Sequence, residues 1–456
     1  MRLALALLLL AAAASSSTAG AGGRPRYGGA LRVAIASKVA GEPPGGADPL
    51  DIDRPETAAL SSLWAPPLCR LDPQRGVVPT LAELSRPGPG RVSIALRGGG
   101  PKRAAELVAR WNALSRPAAP SPYRALLAPI RGLGQSGGTV EVMLAHPWPD
   151  LERTLCHPAL GFPDGGPYSP ALPRGSFTAN LSFPEGRPFP DRLQILPGDE
   201  RRAARLFATR QAEVLLGMTA EEAQGVPPPA GPAAPALFAT FLAYRAAHAG
   251  AELRAVLEQA IDPQDLVQHF VSAPAVPMTQ LLPPALMGTS AAHAPAAGPA
   301  PHAPGRELAL LYDLALEEHR AVAERIQVRL HDRGYRVALQ PLPRAELGAR
   351  WASGDFDLLL QSLLLPPVPP AALALAIELS GRHDLLSVEL GALGALADLG
   401  ARDARARERA AALRPVLPLL PLYASAAQLS ASPAVQALRM DGFGLPMLDQ
   451  VFLSPE

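Results

Sequence analysis

Between Leu308 and Leu360 the hydrophobic pattern changes period four times, and few chain folds accommodate that. Leu308 to Tyr312 is a short apolar run of strand type, whereas Glu317 to Leu330 carries Val322, Ile326 and Leu330 at i, i+4 and i+8. That spacing stacks the three side chains on one helical face. Gly334 is placed to end the helix, because glycine accepts the left-handed backbone of a C-terminal cap. Tyr335 to Gln340 then alternates as a second strand, Arg344 to Ala352 repeats the helical period, and Phe356 to Leu360 reads as a third strand. Strand–helix–strand–helix–strand packs as a largely parallel sheet with right-handed crossovers, so this part of the chain is expected to be α/β.

The rest of the chain is organised by shorter signals. Leu31 to Ala36, Arg91 to Arg97 and Thr139 to Leu144 alternate with period two and are expected strands. Ala104 to Leu114 places Leu107, Trp111 and Leu114 on one helical face, and Arg201 to Gln211 reads as a helix leading into a strand at Ala212 to Leu216. Pro/Ala-rich stretches at Val226 to Pro235, Pro283 to Pro304 and Pro366 to Pro370 read as connectors. They hold many of the 53 prolines, which with 40 glycines stay below the level of a low-complexity chain of 456 residues.

At the amino terminus, Met1-Arg2, the apolar run Leu3 to Ala14 and the small residues Ser15 to Gly23 follow the order of a secretory signal. Twelve apolar residues fall short of the roughly 20 a membrane-spanning helix needs. Ala19-Gly20-Ala21 offers a cleavage site, which gives a signal peptide over 1–21 and a mature start at Gly22. No cysteine stands there to carry a lipid, so an exported, periplasmic protein is expected. Export permits a disulfide between the two cysteines, Cys69 and Cys156; two buried free thiols are the other reading.

Forty-two basic against 41 acidic residues give a net charge of +1, which supplies no electrostatic footprint for nucleic acid. Gly134-Gln-Ser136-Gly-Gly138 fits G-x-S-x-G, but a nucleophile elbow needs a strand before the serine and a helix after it. Here a strand follows, so catalysis is not expected. The nine histidines show no HExxH and no i, i+4 pair, and no phosphate-cradling glycine motif occurs. Neither an enzyme nor a bound metal or cofactor is expected. An exported α/β chain without a catalytic constellation points towards binding.

The order of short motifs then resembles the extracellular solute-binding proteins of family 5, the peptide- and nickel-type binding components of ATP-driven (ABC) importers. The resemblance begins at Gly28-Gly-Ala-Leu-Arg-Val-Ala-Ile35 and Asp48-Pro49. It continues through Leu68 to Glu83, Arg91 to Arg97, Thr139 to Pro158 and Gly166-Pro-Tyr168. Its longest piece is Leu253 to Val267 (LRAVLEQAIDPQDLV), followed by Leu281 to Pro284, Gly354 to Asp357 and Leu417 to Tyr423. The resemblance implies a two-lobed periplasmic-binding-protein-like fold of type II, with a small extra subdomain and a ligand cleft between the lobes. The implied division is lobe I over 22–245, including a subdomain at about 49–165, lobe II over 246–424, and a return segment to lobe I over 425–456. The implied partners are a small-molecule or peptide ligand and the permease subunits of an importer, with the protein itself a monomer.

By matched position, Asp53 and Arg54 would line the cleft, Leu363, Leu364 and Leu365 would form its hinge-side loop, and Tyr168 would be a ligand contact or a packing residue. The leucines have a second reading, as an apolar run that closes a strand. The chain also departs from the family. Gly98 to Arg103 compresses a longer segment, Tyr244-Arg245 replaces an "fN" step, and Pro366 stands where peptide binders place an acidic anchor for the ligand's ammonium. No carboxylate follows in sequence until Glu378. A pocket more apolar than a peptide site is therefore expected. The shortened segments also raise a second function, a degenerate relative acting as sensor, scaffold or partner-binding protein.

Overall fold

A computed structural model describes residues 25–36, 52, 54–74, 76–163, 165–173, 175–219, 234–245, 252–271, 274–288 and 305–454. The signal segment, Asp48-Pro49, Asp53, and the connectors at 226–233 and 289–304 lie outside the described residues.

Two six-stranded sheets organise the molecule. In the first, Ala30–Ala36 runs parallel to Arg192–Gly198 on one side and Val214–Leu216 on the other. Ser176–Ala179 and Tyr168–Ala171 extend one edge antiparallel, and Leu429–Ala431 returns from near the carboxyl terminus to close the other. In the second, Arg306–Asp313 is parallel to Tyr335–Leu342 along eight residues and to Leu358–Leu364 at Leu358 and Leu359. That is the arrangement expected of the strand–helix–strand–helix–strand segment, with helices Glu317–His331 and Arg344–Ser353 between the strands. The sheet as a whole is mixed, because Phe238–Tyr244 and Leu419–Ser425 join it antiparallel.

Phe238–Tyr244 lies between Leu358–Leu364 and Leu419–Ser425, in the second sheet. All seven of its residues are buried, so it has no polar side to produce the alternation by which strands are read. The third strand of the α/β segment is also displaced, from 356–360 to Leu358–Leu364, so Leu363 and Leu364 sit inside a strand and not in a loop. Pro366 to Pro370 is not merely a connector. Pro369 and Pro370 open helix Pro369–Leu379, where the missing amide hydrogen costs nothing, and every residue of that helix is buried.

A smaller antiparallel sheet, ordered Ala82–Gly88, Arg91–Leu96, Thr139–Leu144, Ile130–Ser136, is covered by helix Pro101–Leu114. The helix buries Ala104, Leu107, Trp111 and Leu114. Ser136 ends a strand whose hairpin turn carries Gly137 at φ 58, so the G-x-S-x-G match is a β-turn. The core of this unit is continuous with that of helix Pro369–Leu379 and the Leu358–Leu364 strand. Cys69 and Cys156 are joined within it as a disulfide, with Cα atoms 4.6 Å apart.

Arg245 shows what the replaced "fN" step has become. Its guanidinium lies over Phe356, 4.9 Å from the ring centre, and a Cβ at Gly354 or Gly381 would come within 3 Å of it. Both glycines have positive φ at helix ends, so two helix C-termini present carbonyl dipoles to the charge. Burial still lowers the Arg245 pKa.

Candidate functional site

Parallel strands deliver their following segments at their carboxyl ends, and in open α/β sheets ligands bind in the crevice there. In the first sheet those ends are Ala36, Gly198 and Leu216, and helix Pro55–Trp64 begins beside them. Pro55 at the first helical position sets that start, and Glu56 in the first turn is favoured by the helix dipole. The Glu56 side chain lies against Gly217. In the second sheet the carboxyl ends are Asp313, Leu342 and Leu364, and helix Glu317–His331 begins just beyond the first of them.

The two edges touch. Arg54 Nη2 donates to the Ala315 carbonyl at 2.9 Å, and Arg344 Nη2 donates to the Ile52 carbonyl at 3.2 Å. Beneath this contact the strands set a row of polar side chains. Thr240 stands opposite Ser362 on one neighbour and Tyr423 on the other, so the three share one face. Thr240 Oγ1 and Ser362 Oγ are 2.7 Å apart, Ser362 Oγ and His319 Nε2 are 2.8 Å apart, and Thr240 also bonds Tyr423. The Tyr423 hydroxyl donates to Glu318 Oε1 at 2.6 Å. Glu318 and His319 are consecutive at the start of one helix, so the five side chains form a closed circuit.

Glu318 is the member that reaches the gap between the sheets, where it keeps partial exposure. Burial raises its pKa; Glu56, across the gap, adds to the rise, whereas the Tyr423 hydroxyl and Arg54 oppose it. Burial also raises the Tyr423 pKa well above the usual phenol range, and the Glu318 charge adds to that. The arrangement can therefore meet a polar solute with a carboxylate from each side and a guanidinium. Sequence reasoning missed Glu56, Glu318 and Tyr423. Glu56 and Glu318 stand in the first turns of helices and Tyr423 within strand Leu419–Ser425, positions that no motif marked. Among the described residues no group of three or more His, Cys, Asp or Glu side chains is placed to hold a metal ion.

Of the residues expected at the site, Arg54 is in this interlobe contact and Asp53 lies outside the described residues. Tyr168 is 1% exposed in the core of the first sheet. It follows Gly166, which abuts Leu63 and Trp64 at the far end of helix Pro55–Trp64. Leu363, Leu364 and Leu365 are fully buried in the core that joins the small sheet to helix Pro369–Leu379. Leu363 pairs with Ala239 and so points to the face opposite Ser362. Leu363 and Leu364 thus end a strand, and Leu365 follows it. Glu378 is taken up too: Arg124 pairs with it directly, and His383 Nδ1 lies 3.3 Å away.

The end of that strand is held by two buried side chains from the small unit. The Leu364 amide donates to the Tyr123 hydroxyl at 2.8 Å, and the Leu364 carbonyl lies 2.9 Å from His157 Nε2. Ala159 N–H donates to His157 Nδ1 at 3.1 Å, so the proton sits on Nε2 and that nitrogen donates to Leu364. Burial pushes the His157 pKa down to about 3, against the pull of the Leu364 carbonyl. The unfolded chain takes up this proton near pH 6.5, so stability falls as pH drops from about 6.5 towards 3, by about 1.4 kcal/mol per unit. Asp441 acts in the opposite sense. Burial raises its pKa to about 7, so its protonated folded form adds stability at low pH that is lost as pH rises through 7. The difference between the wild-type and His157→Gln unfolding curves isolates the histidine. It should shrink steadily in the variant's favour between pH 6.5 and 3.5 in urea titrations, and a constant difference would contradict a buried neutral ring.

Two α/β lobes with a polar contact between their carboxyl edges define the two-lobed periplasmic-binding-protein fold. No family model and no curated protein matches the sequence. Solved structures match its fold. The PBP AgaA from A. tumefaciens R10, in complex with agropinic acid, superposes with a TM-score of 0.71 at 15% identity, covering 94% of this chain and 99% of that one. The Escherichia coli murein tripeptide binding protein MppA gives 0.70 at 16% identity, with 95% and 100% covered. The ABC transporter-associated periplasmic binding protein DppA from Helicobacter pylori, in complex with the peptide STSA, gives 0.70 at 16%, with 94% and 99% covered. The resemblance read from the motifs is thus matched by the fold along nearly the whole chain. Among the described residues no helix is long and apolar enough to cross a membrane.

Proposed function

We propose that this chain is an exported solute-binding protein that captures a small organic or peptide-like solute between its two lobes and hands it to the permease of an ATP-driven importer. The observation that carries this reading is the interlobe junction: Arg54 reaching Ala315 across the gap, with Glu56 and Glu318 on opposite sides of it. Side chains so placed meet a ligand only when the lobes are together, which couples binding to hinge closure. That the solved structures sharing this fold are binding proteins supports a non-enzymatic role. The signal-like amino terminus supports a periplasmic location. A bound solute would be screened from water and oriented by a few polar groups, the usual economy of a ligand cleft.

Native mass spectrometry of the mature protein purified from its host tests this. A retained solute is expected for the wild type, with its fraction falling at least tenfold in Arg54→Ala. A cleft that is empty in every preparation, with no melting shift across a panel of small solutes, would overturn the proposal.

A further inference from the structure

The Leu358–Leu364 strand has an uncommon edge. On one side it pairs with Phe238–Tyr244 along its whole length; on the other, Arg306–Asp313 meets it at Leu358 and Leu359. Beyond that point the two strands diverge at their carboxyl ends, on the side where the lobes meet. The Leu365 amide donates to the Leu237 carbonyl at 2.8 Å. Alternation in an antiparallel pair therefore turns the amide and carbonyl of Leu364 to the opposite, unpaired side. An exposed edge of this kind is what an extended peptide uses when it adds a strand to a sheet.

Here both groups are taken. Tyr123 accepts from the amide and His157 donates to the carbonyl, which together reproduce the one acceptor and one donor of a paired residue on an added strand. The hydroxyl of Tyr123 also faces the Ile52 carbonyl at 3.4 Å, which ties the edge to the segment that leads into Arg54. The two rings lie 5.1 Å apart, Phe443 stands edge-on to His157 at 5.3 Å, and Tyr123 and His157 are 1% and 0% exposed. Neither side chain can swing aside without opening that core.

We propose that Tyr123 and His157 are specificity-determining residues of the cleft, which fill the strand edge at Leu364 and so restrict the ligand to compact solutes held by side chains, excluding extended peptides held by main-chain pairing. This deepens the solute-binding reading above and rests on it.

Hydrogen exchange read by mass spectrometry on the mature protein, with tetra-alanine as the probe, tests the proposal. Millimolar tetra-alanine is expected to change neither the melting temperature nor exchange across residues 360–366. Tyr123→Phe is expected to speed exchange of the Leu364 amide about tenfold, the effect of one lost hydrogen bond. Should that variant fail to fold, His157→Gln must show the same exposure of the 360–366 segment. Wild-type stabilisation by tetra-alanine with added protection at Leu364, a peptide of three or more residues retained from the host, or unchanged exchange in the variants would overturn the proposal. An empty protein whose Leu364 exchange behaves as expected would instead sink the solute-binding reading and leave the occupied edge standing.

Discussion

Asp150→Ala is expected to destabilise the protein by about 3–5 kcal/mol, the cost of leaving a buried cation without its partner. Asp150 and Arg402 are 1% and 0% exposed, and the guanidinium Nη1 lies 3.4 Å from the carboxylate Oδ2. Asp150 precedes helix Leu151–Leu155 but does not use its side chain as a cap there. Its carboxylate instead faces helix Leu399–Leu413, where Arg402 also donates to the Leu396 carbonyl and lies over Trp148, 5.0 Å from the ring centre. Burial raises the Asp150 pKa more than the cation lowers it, and burial lowers that of Arg402. The pair is thus expensive to bury and more expensive to break. Adding Arg402→Met to Asp150→Ala should recover much of the loss, because an apolar side chain has no charge to desolvate. Urea unfolding of the two variants checks this. A loss below about 1 kcal/mol in the single variant would mean that water reaches the pair.

Removing the Cys69–Cys156 bridge is expected to cost about 4–5 kcal/mol on the chain-entropy scale for a loop of that length. The two cysteines are 87 residues apart, so the cross-link removes a large share of the unfolded chain's freedom. Both are buried, Cys69 at the start of strand Cys69–Asp72 and Cys156 at the end of helix Leu151–Leu155. Cys69→Ala with Cys156→Ala fits a small apolar group into each place, which keeps the comparison close to the lost covalent constraint. Equal unfolding midpoints for the bridged protein and the double variant would show that the bond adds nothing. Since the bridge lies within the small unit, the loss should appear first in that unit's exchange protection.

The interlobe polar group and these two buried links act at different levels. On the solute-binding proposal, changing Arg54, Glu56 or Glu318 at the interlobe contact should alter ligand retention more than stability. Asp150–Arg402 and Arg124–Glu378 fasten the small unit to the helices beyond Leu365, and their loss should do the reverse. The small unit and those helices are therefore one packed body, although about 200 residues lie between them in sequence.

Elements with one wet side were legible in the sequence. Arg91–Leu96, Thr139–Leu144, Pro101–Leu114 and Glu317–His331 all announce themselves by a period, because water on one face imposes polar residues there. The ordered run of family-like motifs likewise pointed to the two-lobed fold without any coordinates. Phe238–Tyr244, Leu358–Leu364 and Pro369–Leu379 carry no such mark: they are buried on every side, and burial on every side erases periodicity. That is why the leucines at 363–365 could be read either as a pocket wall or as a strand end. Packing places Leu363 on the face away from Ser362. The polar groups at the interlobe contact were hidden for a related reason. Glu56, Glu318 and Tyr423 lie hundreds of residues apart or on unlike elements, and no spacing rule links them. What the sequence determined was the set of amphipathic elements and their order, since those follow from local contact with water. What the tertiary structure decided was which polar groups face each other across the lobes, because that depends on where fully buried strands end.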